Sequence, residues 1–100
     1  MQTHQQFIKV LKGYGFSVSV KDNKIILKNA IPFQENIPEE HYANNLPYEK
    51  IVLCGKGYVS TDAMSLLCEK NCSLVLMNTF GEPIAFVNPV RESFQASKYR

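Results

Sequence analysis

From Tyr14 onward the apolar residues fall on every second position: Tyr14, Phe16, Val18 and Val20 alternate with Gly15, Ser17 and Ser19. That period belongs to a half-buried strand. Asp22-Asn23 follows, two residues that tolerate positive φ and suit a tight turn. Ile25-Ile26-Leu27 then reads as the returning strand. Residues 14–29 therefore predict a β-hairpin, and the fold has to be built around it.

A chain of 100 residues is the size of one ordinary domain with one hydrophobic core. Hydrophobic residues make up 45% and charged residues 20%, which is globular chemistry and argues against disorder. No apolar run approaches the ~20 residues that a membrane helix needs. The start, Met1-Gln2-Thr3-His4-Gln5-Gln6, lacks the basic and then apolar pattern of a signal peptide. A cytoplasmic protein without membrane partners is expected.

Three cysteines, Cys54, Cys68 and Cys72, are a poor disulfide framework. Cys68 and Cys72 are spaced to share a helix face, which raises a metal site. Their neighbours supply no third or fourth ligand at a zinc spacing, and His4 and His41 are remote in sequence. Small buried apolar side chains are the simpler reading. The net charge is +2, unevenly spread. Residues 1–30 carry Lys9, Lys12, Lys21, Lys24 and Lys28 against Asp22 alone; residues 31–50 carry Glu35, Glu39, Glu40 and Glu49 against Lys50. A basic N-terminal part is compatible with phosphate contact, although lysines on solvated strand faces give the same pattern.

Elsewhere the chain reads as short elements. Phe7, Ile8 and Leu11 have the spacing of a short N-terminal helix ended by Gly13. Residues 31–48 hold Pro32, Pro38 and Pro47 and no sustained period, which predicts a long surface loop, or a short edge strand and a loop, with much disorder. Ile51-Val52-Leu53-Cys54 reads as a strand closed by Gly55-Lys56-Gly57, with Tyr58-Val59 a further short extended piece. Ser60, Thr61 and Asp62 are good N-cap residues for a helix over about 60–71, ending near Asn71. Leu74–Met77 and Ile84–Val87 are two strands joined by the turn at 78–83. The sum is a mainly β, β-sandwich-like domain over 1–88, with about six or more short strands and one clear α-helix. Residues 89–100 read as the start of a linker to a further domain, since Phe94 and Tyr99 have little local core to join.

Few residues suggest chemistry. Gly55-Lys56-Gly57 invites a phosphate-loop reading but lacks the GxxxxGK[ST] spacing, and a tight turn explains it better. Ser60, Asp62 and His41 could be parts of a hydrolase triad, yet side chains at a helix start usually cap it. The glutamates of 31–50 could be acids or ligands, but clustered acids in a Pro-rich loop are usually solvated. Tyr14, flanked by Gly13 and Gly15 and near Lys12, could stack on an unpaired base. The plainer alternative is a core or rim residue of the sheet.

The stretch Ile51-Val52-Leu53-Cys54-Gly55-Lys56-Gly57-Tyr58-Val59-Ser60-Thr61-Asp62-Ala63 changes that balance. With Leu66-Leu67, Leu74–Met77, Gly81-Glu82-Pro83 and Ala85 after it, this order resembles the N-terminal domain of CRISPR-associated protein 1, the integrase that inserts spacers into CRISPR arrays. The Tyr14-Gly15 hairpin is similar to the family's opening strands, and Arg91 to Lys98-Tyr99-Arg100 to its basic interdomain segment. The resemblance covers residues 14–100, with 51–87 the specific part.

The resemblance implies that the metal-binding Glu, His and Asp of the integrase lie in a helical C-terminal domain absent from this chain. No catalytic residue and no cofactor are then expected here, and a divalent metal, Mg or Mn, is expected in the missing domain. It further implies a homodimer, duplex DNA ends, splayed or forked, as partner, and the small ferredoxin-like CRISPR adaptation protein as another. In some members a Tyr matching Tyr14 splays the last base pair, so Tyr14 becomes a wedge, with Lys12, Lys56, Lys98 and Arg100 as DNA contacts. Two departures, the helix-like lead and the long acidic 31–48 segment, fit a divergent branch such as the casposon integrases. The rivals are a pure protein-interaction module and a small enzyme using Ser60, Asp62 and His41.

Overall fold

The computed structural model describes residues 7–90. Its longest element is β1 (Ile8–Lys21), which turns through Asp22 (φ 54°) and Asn23 (φ 63°) into β2 (Lys24–Lys28). Positive φ at both central residues is what a type I′ two-residue hairpin turn requires, and Asp-Asn meets it cheaply. The register sets Val20 opposite Ile25 and Val18 opposite Leu27. Val18, Ile25 and Leu27 are fully or almost fully buried, as the alternation predicts.

β3 (Glu39–Tyr42) lies antiparallel on β2 and is an edge strand. β4 (Lys50–Val59) runs parallel to β1, from Ile8 beside Lys50 to Val18 beside Val59. The chain then forms α1 (Thr61–Glu69), β5 (Ser73–Met77), parallel to β4, and β6 (Pro83–Val87), antiparallel to β5. Parallel neighbours need a crossover, and α1 supplies it between β4 and β5. The six strands form one mixed sheet in the order β3-β2-β1-β4-β5-β6. Ser60 caps α1 by accepting a hydrogen bond from the Ala63 N–H at 3.1 Å, and Ala63 and Leu67 are buried against the sheet with Leu11, Ile51, Leu53, Cys72 and Leu74.

The mainly β class, the six strands and the single α-helix stand as expected. Four local expectations do not. Ile8 onward is strand, because pairing with β4 outweighs a helical spacing carried by only three residues. Gly55-Lys56-Gly57 closes nothing; it lies inside β4, which is one strand through Val59. The 31–48 segment contains β3 and a 3-10 turn at Ala43–Asn45, so the edge-strand alternative is the right one. Its opening turn is tied down rather than loose: the Asn36 amide accepts from the Ile31 N–H and donates to the Ile31 carbonyl, both at 3.1 Å.

The fourth difference concerns phase. Leu11 is buried on odd numbering, whereas Phe16 and Val18 are buried on even numbering. A bulge between Tyr14 and Phe16, where the register against β4 slips, reverses the faces. Tyr14 therefore continues the exposed series Ile8, Val10 and Lys12 instead of joining Phe16 and Val18 inside.

Candidate nucleic-acid interface

Tyr14 stands in a stretch where β1 and β4 run very close together. Gly13 (φ 107°) faces Gly55 (φ 110°), and both conformations disfavour a side chain. A Cβ at Gly55 would come 2.3 Å from the Gly13 carbonyl oxygen, and one at Gly13 would come 1.9 Å from that of Ala30. Neither site has room for a methyl group. The preceding residue is pinned on both sides: the Lys12 N–H donates to Asn29 Oδ1 at 2.8 Å, and the Lys12 carbonyl accepts from the Ala30 N–H at 3.0 Å. The Tyr14 ring is thus a 69% exposed aromatic on a rigid base, not a core residue.

Lys56 is the direct partner of Tyr14 in the β1–β4 register, and Lys12 precedes Tyr14 on the same exposed face. Neither lysine is ion-paired among the described residues. A shallow cleft of about 370 Å³ lies beside them, lined by Lys12, Tyr14, Cys54 and Gly55 on one side and by Asn78, Thr79 and Gly81 of the β5–β6 turn on the other. An aromatic face, two cations and a neutral polar wall can take a base and its phosphates. Of the expected DNA contacts, the fold brings Tyr14, Lys12 and Lys56 together; Lys98 and Arg100 lie outside the described residues.

The hydrolase grouping is not assembled. His41 lies on β3, separated from β4 by β2 and β1, while the Ser60 hydroxyl caps α1 at the end of β4. Cys72 is buried and its thiol is pushed up to about 12, by burial first and then by Cys68 and Glu49; Cys54 and Cys68 are half-buried. No group of three or more His, Cys, Asp or Glu among the described residues is placed to hold a metal ion.

Glu39 departs from the solvated reading of the acidic segment. Its carboxylate binds Lys9 Nζ at 2.6 Å and His41 Nε2 at 2.5 Å, and it accepts from the Tyr48 hydroxyl. Burial alone would raise its pKa, yet hydrogen bonds from His41, Lys9 and Tyr48 together outweigh that and bring it down to about 2. Tyr48 is pushed up to about 12, by burial and then by the Glu39 carboxylate. The signal was present: Glu39-x-His41 puts both side chains on one face of a strand. The cluster ties β3 and the segment before β4 to β1, away from the Tyr14 cleft.

The family model described as CRISPR associated protein Cas1 matches residues 10–99. The chain belongs to the Cas1 family. The resemblance to its N-terminal domain, carried above by residues 51–87, is borne out. Similar solved structures include a casposase bound to integration product, with 18% identity, TM-score 0.77 and coverage of 92% of this chain and 28% of the other. A Cas1 protein from Thermotoga maritima has 16% identity, TM-score 0.62 and coverage of 85% and 25%. A partial Cas6-RT-Cas1–Cas2 complex has 16% identity, TM-score 0.59 and coverage of 92% and 26%. At these identities the structures show a shared fold. The chain spans 28% or less of each of these matched chains. A comparison with curated proteins finds no sequence match. No helix among the described residues is long and apolar enough to cross a membrane.

Proposed function

We propose that this chain is the DNA-end-binding and dimerising part of a Cas1-type integrase, with Tyr14 as the wedge at the duplex end. One observation carries the reading: an exposed aromatic is fixed on a glycine-kinked strand with two lysines beside it. Most of a large ring's value comes from burial. A tyrosine left 69% exposed on a rigid base is best matched to a flat partner that arrives from solution. Stacking on a terminal base pair contributes ~1–3 kcal/mol, and Lys12 and Lys56 reach the flanking phosphates.

Ile8, Val10 and Phe86 support the dimer, since they leave exposed apolar area on the sheet. The described residues hold no metal-ligand cluster, so no step of this reading runs through a metal. The cutting and joining chemistry, with its Mg or Mn ion, belongs in this proposal to the rest of the protein, as does docking of the small ferredoxin-like CRISPR adaptation partner. Inserting spacers and inserting a casposon would make the same demand on this part, namely holding an opened DNA end.

The test is a binding comparison between forked and blunt duplexes of one sequence. The unmutated protein is expected to prefer the fork, and Tyr14→Ala to lose about tenfold on the fork while keeping its affinity for the blunt duplex. Equal binding of both DNAs by Tyr14→Ala and the unmutated protein ends the wedge reading.

A further inference from the structure

We infer that the β5–β6 turn is the second jaw of the Tyr14 cleft, and that Phe80 at its tip stacks on the first unpaired nucleobase of an opened end. The inference rests on the DNA-end reading above and adds to it a second contact on a different element. Phe80 is 86% exposed, the second most exposed large apolar side chain after Phe33 among the described residues. It is also held in place. Asn78 Oδ1 accepts from the Phe80 N–H at 2.8 Å and from the Glu82 N–H at 3.0 Å. Asn78 Nδ2 donates to Glu82 Oε1 at 3.0 Å, and the Asn78 N–H donates to the Glu82 carbonyl at 2.9 Å. One asparagine thus organises the whole turn around a ring that touches no core.

The lining of the cleft places this turn, though not the Phe80 ring itself, against Tyr14. Tyr14 pairs with Lys56 across β1 and β4, and Cys54 pairs with Met77 across β4 and β5. β5 ends at Met77, and the turn that follows it begins beside the same stretch of β4. Thr79 and Gly81, on either side of Phe80, line the same cleft as Tyr14. The cleft of about 370 Å³ between the two elements is the space a nucleotide would enter, and Lys56 is the strand partner of Tyr14 on one side of it. A phenylalanine has no hydrogen-bonding edge, so the jaw accepts any base and reads none. Glu82 would repel a phosphate, but its carboxylate is engaged by the Asn78 amide, which donates to Oε1 at 3.0 Å.

The experiment uses the full protein with three DNAs: a fork carrying 2-aminopurine at the first unpaired position, the same fork with an abasic site there, and the blunt duplex. Phe80→Ala is expected to weaken binding of the intact fork about tenfold, to restore 2-aminopurine emission, and to leave the blunt duplex unaffected. On the abasic fork the variant and the unmutated protein should bind equally, and Phe80→Tyr should retain fork binding. Because the ring touches no core, loss of folding is not expected, and unchanged blunt-duplex binding reports it. If Phe80→Ala binds the intact fork as the unmutated protein does while Tyr14→Ala does not, the second jaw is wrong and the wedge stands. If only Phe80→Ala loses fork binding, the jaw stands and the Tyr14 wedge falls. If neither loses it, both are wrong.

Discussion

Glu39 shows how far one residue can depart from the average of its segment. In a run with three prolines and several acids it reads as solvated, yet Lys9, His41 and Tyr48 converge on it. Its folded pKa of about 2 lies below the ordinary value of 4.5. A depressed carboxylate adds stability that is fully present above the unfolded pKa and is lost as pH falls through the folded one. Stability should therefore fall between about pH 4.5 and pH 2 in urea unfolding, and Glu39→Gln should flatten that slope. Near pH 7 the substitution should cost about 1 kcal/mol, a modest figure because the cluster is partly solvated and screened. An unchanged acid limb in the variant would assign the loss to other carboxylates. Tyr14 is the opposite case. Its candidacy was legible from its glycine neighbours, but its exposure was not, since strict alternation groups it with Phe16 and Val18.

Elements were legible where their determinants are local. The β1–β2 hairpin announces itself through Asp22-Asn23 and the alternation on both sides, and α1 through Ser60 and its apolar spacing. The first half of β1 was hidden because its partner, β4, lies far along the chain, and parallel pairing leaves no turn signal between them. Gly55 misled in a related way. Glycine usually punctuates, but here it continues a strand past a point where two backbones nearly touch. Lys12 and Tyr14 are neighbours in the sequence and were singled out there, whereas Lys56 joins them only through that same pairing, so its place in the site could be suggested by resemblance and not by local pattern. The close approach makes a prediction. Gly55→Ala adds a Cβ 2.3 Å from the Gly13 oxygen at a φ of 110°, so strain and overlap act together. A loss of roughly 3 kcal/mol or more is expected in chemical unfolding. Lys56→Ala, next to it but exposed, should stay within about 0.5 kcal/mol. A Gly55→Ala variant as stable as its parent would mean that β1 and β4 lie further apart than described.

At the scale of the whole molecule the uneven charge acquires a purpose once the strands are ordered. The acidic segment folds back as β3, where Glu39 pairs with Lys9 at 2.6 Å and Glu40 lies 3.7 Å from Lys24. Two lysines of the basic N-terminal part are thereby engaged within the domain. Lys12, on the same strand as Lys9, and Lys56, on β4, stay unpaired among the described residues and flank Tyr14. Lys12 and Lys56 thus put positive charge beside the exposed ring, while Lys21, Lys28 and Lys50, also in no ion pair among the described residues, lie at strand ends. Phosphate contacts and stacking are separable, because only the former release counterions. Each phosphate neutralised on duplex DNA contributes about 0.9 to the slope of log affinity against log salt. The double variant Lys12→Ala, Lys56→Ala should therefore flatten that slope by about 2 on forked and blunt DNA alike, whereas Tyr14→Ala should weaken fork binding and leave the slope unchanged. Lys24→Ala, whose cation lies near Glu40, serves as the control and should leave the slope as it is. If the double variant keeps the full slope, the phosphates are held elsewhere on the protein and the charge at the cleft is incidental.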